Sequence, residues 1–298
     1  MRPMIPAVSL LAALLLAGCA TVAPAPAPVA VPPPPVPEAG PPADDSLNAT
    51  VWYQTSVERD LVYRTVYRAA AAQLAAALAD PGWDALPKEE RSNDPRGLPP
   101  AIIVDVDETV LDNSPSQVRQ IRERRGFDEA AWGAWVMEEK ATPLPGALEF
   151  LKAAAARGVT VFYISNRDAS LAAATVANLR RAGFPIARAD QFLGLGTVVA
   201  GCEQEGSEKA CRRKRVADGY RVLMQFGDQV GDFVQVVANT PEGRRAAIAP
   251  YADWMGQRWW ALPNPVYGSW EPALFDNAWS LPAAERRARK EAALNDAR

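Results

Sequence analysis

The sequence predicts an α/β protein built on a doubly wound parallel sheet. Three observations point there. Mostly apolar runs at 101–104, 159–164 and 221–226 fit strands buried on both faces. Helical stretches lie between them, and alternation of strand and helix patterns indicates a parallel sheet. Each run ends in polar residues, Asp105/Asp107, Ser165/Asn166 and Asp228. The C-terminal edge of such a sheet is where ligands bind.

Taken in order, the chain opens with Arg2 and an apolar run at 5–17 that is too short to span a bilayer and suits a signal peptide over 1–18. Leu16-Ala17-Gly18-Cys19 resembles a bacterial lipobox, with Cys19 as the lipidated residue. An ordinary signal peptide with an incidental cysteine is the alternative. Ala20 rather than Asp follows, which by resemblance to Gram-negative lipoproteins points to the outer membrane. Residues 19–48 are then the anchor and a Pro/Ala-rich tether, reaching at most about 3 Å per residue as polyproline II.

A helix is predicted over 50–78, ended by Pro81-Gly82, followed by a turn-rich stretch at 88–100. After the strand at 101–104 comes an insertion, 112–146, that holds Trp132 and Trp135. Helices follow at 148–157, stopped by Gly158, and at 170–181, stopped by Gly183. A short strand at 192–195 and a helix at 207–217 precede the strand at 221–226 and Gly227-Asp228. Cys202 and Cys211 are either a disulfide closing a small loop, as export would favour, or two free thiols.

The 298 residues are 49% hydrophobic and 22% charged, enough for one sizeable core. A net charge of −3 leaves no electrostatic footprint for nucleic acid. The chain contains no histidine. That excludes a Ser-His-Asp triad, a phosphohistidine intermediate and histidine-ligated zinc. Asp105, Asp107 and Asp228 would crowd carboxylates at one sheet edge, which requires a cation or shared protons. Oxygen ligands alone favour a hard ion, Mg²⁺.

Asp105-Val106-Asp107-Glu108-Thr109 resembles the first motif of the haloacid dehalogenase superfamily, and its continuation to Pro115 is similar to the class C acid phosphatases. Ile164-Ser165-Asn166-Arg167 resembles the second motif and Ser207–Arg213 the segment of the third. Gly227-Asp228-Gln229-Val230-Gly231-Asp232-Phe233 resembles the fourth, with Gln229 where the pattern has Asn. The resemblance implies a phosphatase domain over 49–298, with a core at about 98–262 and cap elements at about 50–97, 112–146 and 263–280. It implies hydrolysis of phosphate monoesters, including nucleoside 5′-monophosphates, through an aspartyl-phosphate on Asp105.

On the same resemblance, Asp107 is the acid and base. Asp105, Asp228 and the backbone carbonyl of Asp107 hold Mg²⁺, and Ser165, Asn166 and Lys209 bind phosphate, with Lys214 as the alternative lysine. Asp232 and Thr109 support the site from behind. Trp132 and Tyr267 sandwich the substrate's base, against the alternative that they pack in the core. Two other functions stay open, a phosphotransferase and a non-catalytic binding or storage relative. The oligomeric state is open too, a homodimer being one option.

Overall fold

The computed structural model of the protein describes residues 46–297. The leader, Cys19 and most of the tether lie outside the described residues. The strands are β1 (Pro100–Val104), β2 (Leu111–Asp112), β3 (Thr142–Pro143), β4 (Thr160–Asp168), β5 (Phe192–Leu195), β6 (Arg221–Gly227) and β7 (Trp259–Ala261). The helices are α1 (Leu47–Thr55), α2 (Val57–Ala79), α3 (Ser114–Arg122), α4 (Glu129–Met137), α5 (Ala147–Ala156), α6 (Ala172–Arg181), α7 (Ala210–Ala217), α8 (Pro241–Ile248) and α9 (Ala283–Ala292). Among the described residues, no helix is long and apolar enough to cross a membrane.

Five strands form one parallel sheet in the order β5-β4-β1-β6-β7. The predicted α/β fold is thus the observed one. Alternation along β1 explains why its sequence is apolar throughout. Ile102 and Val104 join the core that holds Tyr67, Leu74, Phe150 and Leu151 of α2 and α5. Ala101 and Ile103 face the other core, with Val216 and Ala217 of α7 and with Trp259. The chain leaves β1 for β4 on one side and later returns to β6 on the other, so β1 sits at the switch point of the strand order.

The helix predicted over 50–78 is two helices. Ser56 is extended (φ −79°, ψ 131°), and its side chain accepts a hydrogen bond from the Arg59 amide at 3.2 Å. Serine competes for backbone donors in this way, which makes it a cap rather than an interior residue. The break lets α1 reach α3, where Gln54 donates to the Ser114 hydroxyl at 3.0 Å. At the other end of α2, Arg221 donates to the carbonyls of Ala77 and Asp80 at 3.0 and 2.6 Å. A buried cation there satisfies carbonyls that the helix leaves unpaired. The insertion after β1 is closed at its base by the antiparallel pair β2–β3 and carries α3 and α4.

Candidate active site

The turn that follows β1 is held from several sides. The Asp105 amide donates to the Phe226 carbonyl of β6 at 2.9 Å, in step with the sheet. Three residues on, Glu108 takes a left-handed conformation (φ 56°). Such a backbone costs about 1–3 kcal/mol outside glycine and persists only where its surroundings impose it. Here the Tyr63 hydroxyl donates to the Glu108 carbonyl at 2.5 Å and the Tyr67 hydroxyl to the Thr109 carbonyl at 2.7 Å. Tyr53 hydrogen-bonds Tyr63 at 2.7 Å. The Glu108 carboxyl accepts the Asn113 amide at 2.7 Å and meets the Tyr267 hydroxyl.

Asp105, Asp228 and Asp232 each offer a carboxylate oxygen, and these lie within 4.8 Å of one another. Lys209, at the start of α7 and 5% exposed, joins the group. Its ammonium is paired with Asp105, and with Asp232 at 2.6 Å. Asp232 therefore stands inside the cluster, where the sequence placed it only behind the ion. Gly227 explains how: a Cβ there would lie 2.2 Å from Asp232 Oδ2, so only glycine lets that carboxylate close in. Asp228 is fixed by amides, accepting from Gln229 and Asn264 at 2.8 Å each, both on Oδ2.

The Asp107 carboxylate points elsewhere. Oδ1 accepts from Arg167 Nε at 2.9 Å and from the Asn113 side-chain amide at 2.8 Å, and Oδ2 accepts from the Ser165 hydroxyl at 3.1 Å. Arg167 is 1% exposed, and its other nitrogens reach Asn113 and Thr175. Asn166 is exposed near the end of β4, with its side-chain oxygen accepting from Arg212 at 2.8 Å. That leaves the amide hydrogens of Asn166 to donate outward.

The remaining predicted positions divide. Lys209 lies in the cluster, while Lys214 is half-buried a turn further along α7. Arg212 and Arg213 are fully buried rather than part of a solvated basic face. Arg213 pairs with Glu90 at 2.6 Å and donates to the Gly231 carbonyl at 2.9 Å, supporting the Asp228–Asp232 loop. Thr109 contributes the carbonyl that Tyr67 holds, while its buried hydroxyl has no hydrogen-bond partner among the described residues. Cys202 and Cys211 form a disulfide. Trp259 and Trp260 are core residues, and Trp135 is buried with its indole donating to Asn113 at 2.8 Å. Trp132 and Tyr267 are half-buried. Arg167, the partner of Asp107, lies 5.6 Å from the Trp132 ring, and Tyr267 meets Glu108.

Electrostatics agree with the geometry. Burial pushes Asp105 well above the usual carboxylate range; Lys209 opposes the shift, and Asp232, Asp228 and Asp107 add to it. Burial, then the charge of Asp232, raises Asp228 to about 7. The Lys209 ammonium is held above its ordinary value by Asp105 and Asp232, against its own burial. Three carboxylates and one ammonium leave two uncompensated negative charges when all are ionised. A divalent cation with hard oxygen preference fits this donor set in both charge and chemistry.

Residues 54–270 match the family described as HAD superfamily, subfamily IIIB (Acid phosphatase). The class C acid phosphatase from Bacillus anthracis is similar in structure, with a TM-score of 0.72 and 32% identity over 84% of this chain and 96% of that one. A tungstate-bound structure of that protein matches equally well. Acid phosphatase 1 of Solanum lycopersicum is 27% identical over 170 residues, 55% of this chain and 57% of that protein. Stem 31 kDa glycoprotein of Glycine max is 26% identical over 166 residues, 55% of this chain and 58% of that protein. The chain thus spans just over half the length of these curated relatives.

Proposed function

The chain belongs to subfamily IIIB of the HAD superfamily, the acid phosphatases, and on that premise we propose that it hydrolyses phosphate monoesters with Asp105 as the nucleophile. The observation that carries this reading is the buried group of Asp105, Asp228, Asp232 and Lys209 at the C-terminal edge of β1 and β6. Asp105 attacks phosphorus, the ester oxygen leaves, and an aspartyl-phosphate remains. Asp107 gives the leaving oxygen its proton and then takes one from the water that attacks the acyl phosphate. Arg167, Asn113 and Ser165 hold the Asp107 carboxyl in one orientation for both transfers.

Lys209 balances charge on the phosphoryl oxygens, and the outward amide of Asn166 donates to them. Ser165 acts mainly through Asp107, its present hydrogen-bond partner. Asp105, Asp228 and the Asp107 carbonyl would hold Mg²⁺, with Asp232 adjoining, and the ion would neutralise phosphate charge. Trp132, whose ring lies beside Arg167, and Tyr267, which meets Glu108, would receive the leaving group of a nucleoside 5′-monophosphate. Export, lipid attachment at Cys19 and an outer-membrane location complete the proposal.

The test is release of phosphate from p-nitrophenyl phosphate and nucleoside monophosphates, with and without EDTA, at acidic and neutral pH. Turnover that EDTA abolishes and Mg²⁺ restores supports the reading. Turnover indifferent to EDTA contradicts the ion site. An added nucleoside acceptor distinguishes hydrolysis from transfer to an alcohol.

A further inference from the structure

We propose that Gln229 is a positioning residue, which braces one oxygen of Asp228 from the 267–269 segment and so presents the other to the cation. This rests on the cation site proposed above and deepens it. Glutamine stands where the fourth motif carries asparagine, one methylene longer. The added reach is used. The side-chain nitrogen donates to Asp228 Oδ2 at 2.8 Å and approaches the Tyr267 carbonyl at 3.4 Å. The side-chain oxygen accepts the Ser269 amide at 3.1 Å and lies 3.4 Å from the Ser269 hydroxyl.

The brace has a built seat. A Cβ at position 268 would fall 2.3 Å from the Gln229 amide nitrogen, so Gly268 opens the space that the longer side chain fills. The Ser269 hydroxyl is itself held by Arg244 at 2.6 Å, and Arg244 also donates to Asn239 at 3.1 Å. Asn264 brings a second amide to the same Asp228 oxygen at 2.8 Å. With Oδ2 taken by two donors, Oδ1 is the oxygen left for an ion. A carboxylate already fixed in this way has less freedom to lose when an ion binds, and partners of this kind change metal affinity by about 10–100-fold.

The experiment is calorimetric titration of the metal-stripped full chain with Mg²⁺, beside kcat and KM at saturating Mg²⁺. Gln229→Leu and Gln229→Met remove the amide but keep bulk; Gln229→Asn keeps an amide next to Asp228. Thermal unfolding in EDTA reads any general loss of fold separately, and the two non-donor variants cover each other in that event. The proposal predicts Mg²⁺ binding weakened about tenfold in the non-donor variants, KM for p-nitrophenyl phosphate unchanged, and only part of the loss recovered in Gln229→Asn, whose shorter amide can serve Asp228 but not the 267–269 segment. Wild-type affinity in Gln229→Leu and Gln229→Met, or an equal loss in all three variants, overturns it while the cation site stands. A wild-type chain that binds no divalent cation overturns the site and this inference together.

Discussion

At the scale of single residues, the site is a set of charges that burial makes expensive and neighbours make tolerable. Asp105 and Lys209 are 6% and 5% exposed. Asp105→Asn keeps the shape of the side chain and removes the proposed nucleophile, so kcat is expected to fall by at least about 10³-fold while circular dichroism stays that of the parent. The raised values of Asp105 and Asp228 also set a sign for stability in the metal-free protein. Between an ordinary carboxylate pKa of about 4 and the value of about 7 at Asp228, the folded chain binds more protons than the unfolded one. Stability therefore falls as pH rises through that window. Thermal melts in EDTA should show the midpoint dropping from about pH 4 to about pH 7, and added Mg²⁺ should raise it most at the upper end. A midpoint that climbs with pH in EDTA contradicts this.

At the scale of elements, α2 serves the turn after β1 as well as the core. Tyr67 stacks on Phe226 of β6 with ring centroids 5.2 Å apart, and its hydroxyl holds the Thr109 carbonyl. Tyr67→Phe keeps the packing and strands a buried carbonyl, at about 1–3 kcal/mol, measurable by urea unfolding. The disulfide is a second link between an element and the site, because Cys211 lies two residues beyond Lys209. Closing a loop of nine residues' separation contributes about 2–3 kcal/mol in the chain-entropy account. Cys202→Ala/Cys211→Ala should lower unfolding stability by about that amount.

The strands at 101–104, 159–164 and 221–226 were legible because burial on both faces writes a mostly apolar run. The paired strands β2 and β3 span two residues each, and β7 three, too short to carry any period. The break at Ser56 had a local signal, a serine followed by acids in the first turn, Glu58 and Asp60, that an alanine-rich continuation masked.

At the scale of the molecule, the strand order brings together residues that lie far apart in sequence. Lys209 and Asp105 are 104 positions apart and still meet, because β1 lies between the two halves of the sheet. The first, second and fourth motif residues were readable from the ends of apolar strands. The supports were not. Tyr63, Tyr67, Asn264 and the charge on Arg167 act across 36 to 60 positions in their contacts with the site, and single tyrosines or amides in a sequence carry no mark of such pairing. The two aromatics proposed for substrate come from the insertion and from the C-terminal segment. Trp132→Ala should raise KM for nucleoside monophosphates about 5- to 150-fold, as loss of one stacking face of about 1–3 kcal/mol requires, and leave glycerol phosphate unchanged. Equal effects on both substrates would show that Trp132 serves packing alone.

The central claim is a covalent phosphoryl group on one carboxylate. Rapid acid quench during turnover, followed by hydroxylamine treatment and peptide mass spectrometry, tests it directly. The account predicts an acid-stable, hydroxylamine-labile phosphoryl group on the peptide that contains Asp105, absent in Asp105→Asn. Full turnover with no acyl phosphate on that peptide, or with the label on another residue, would contradict it.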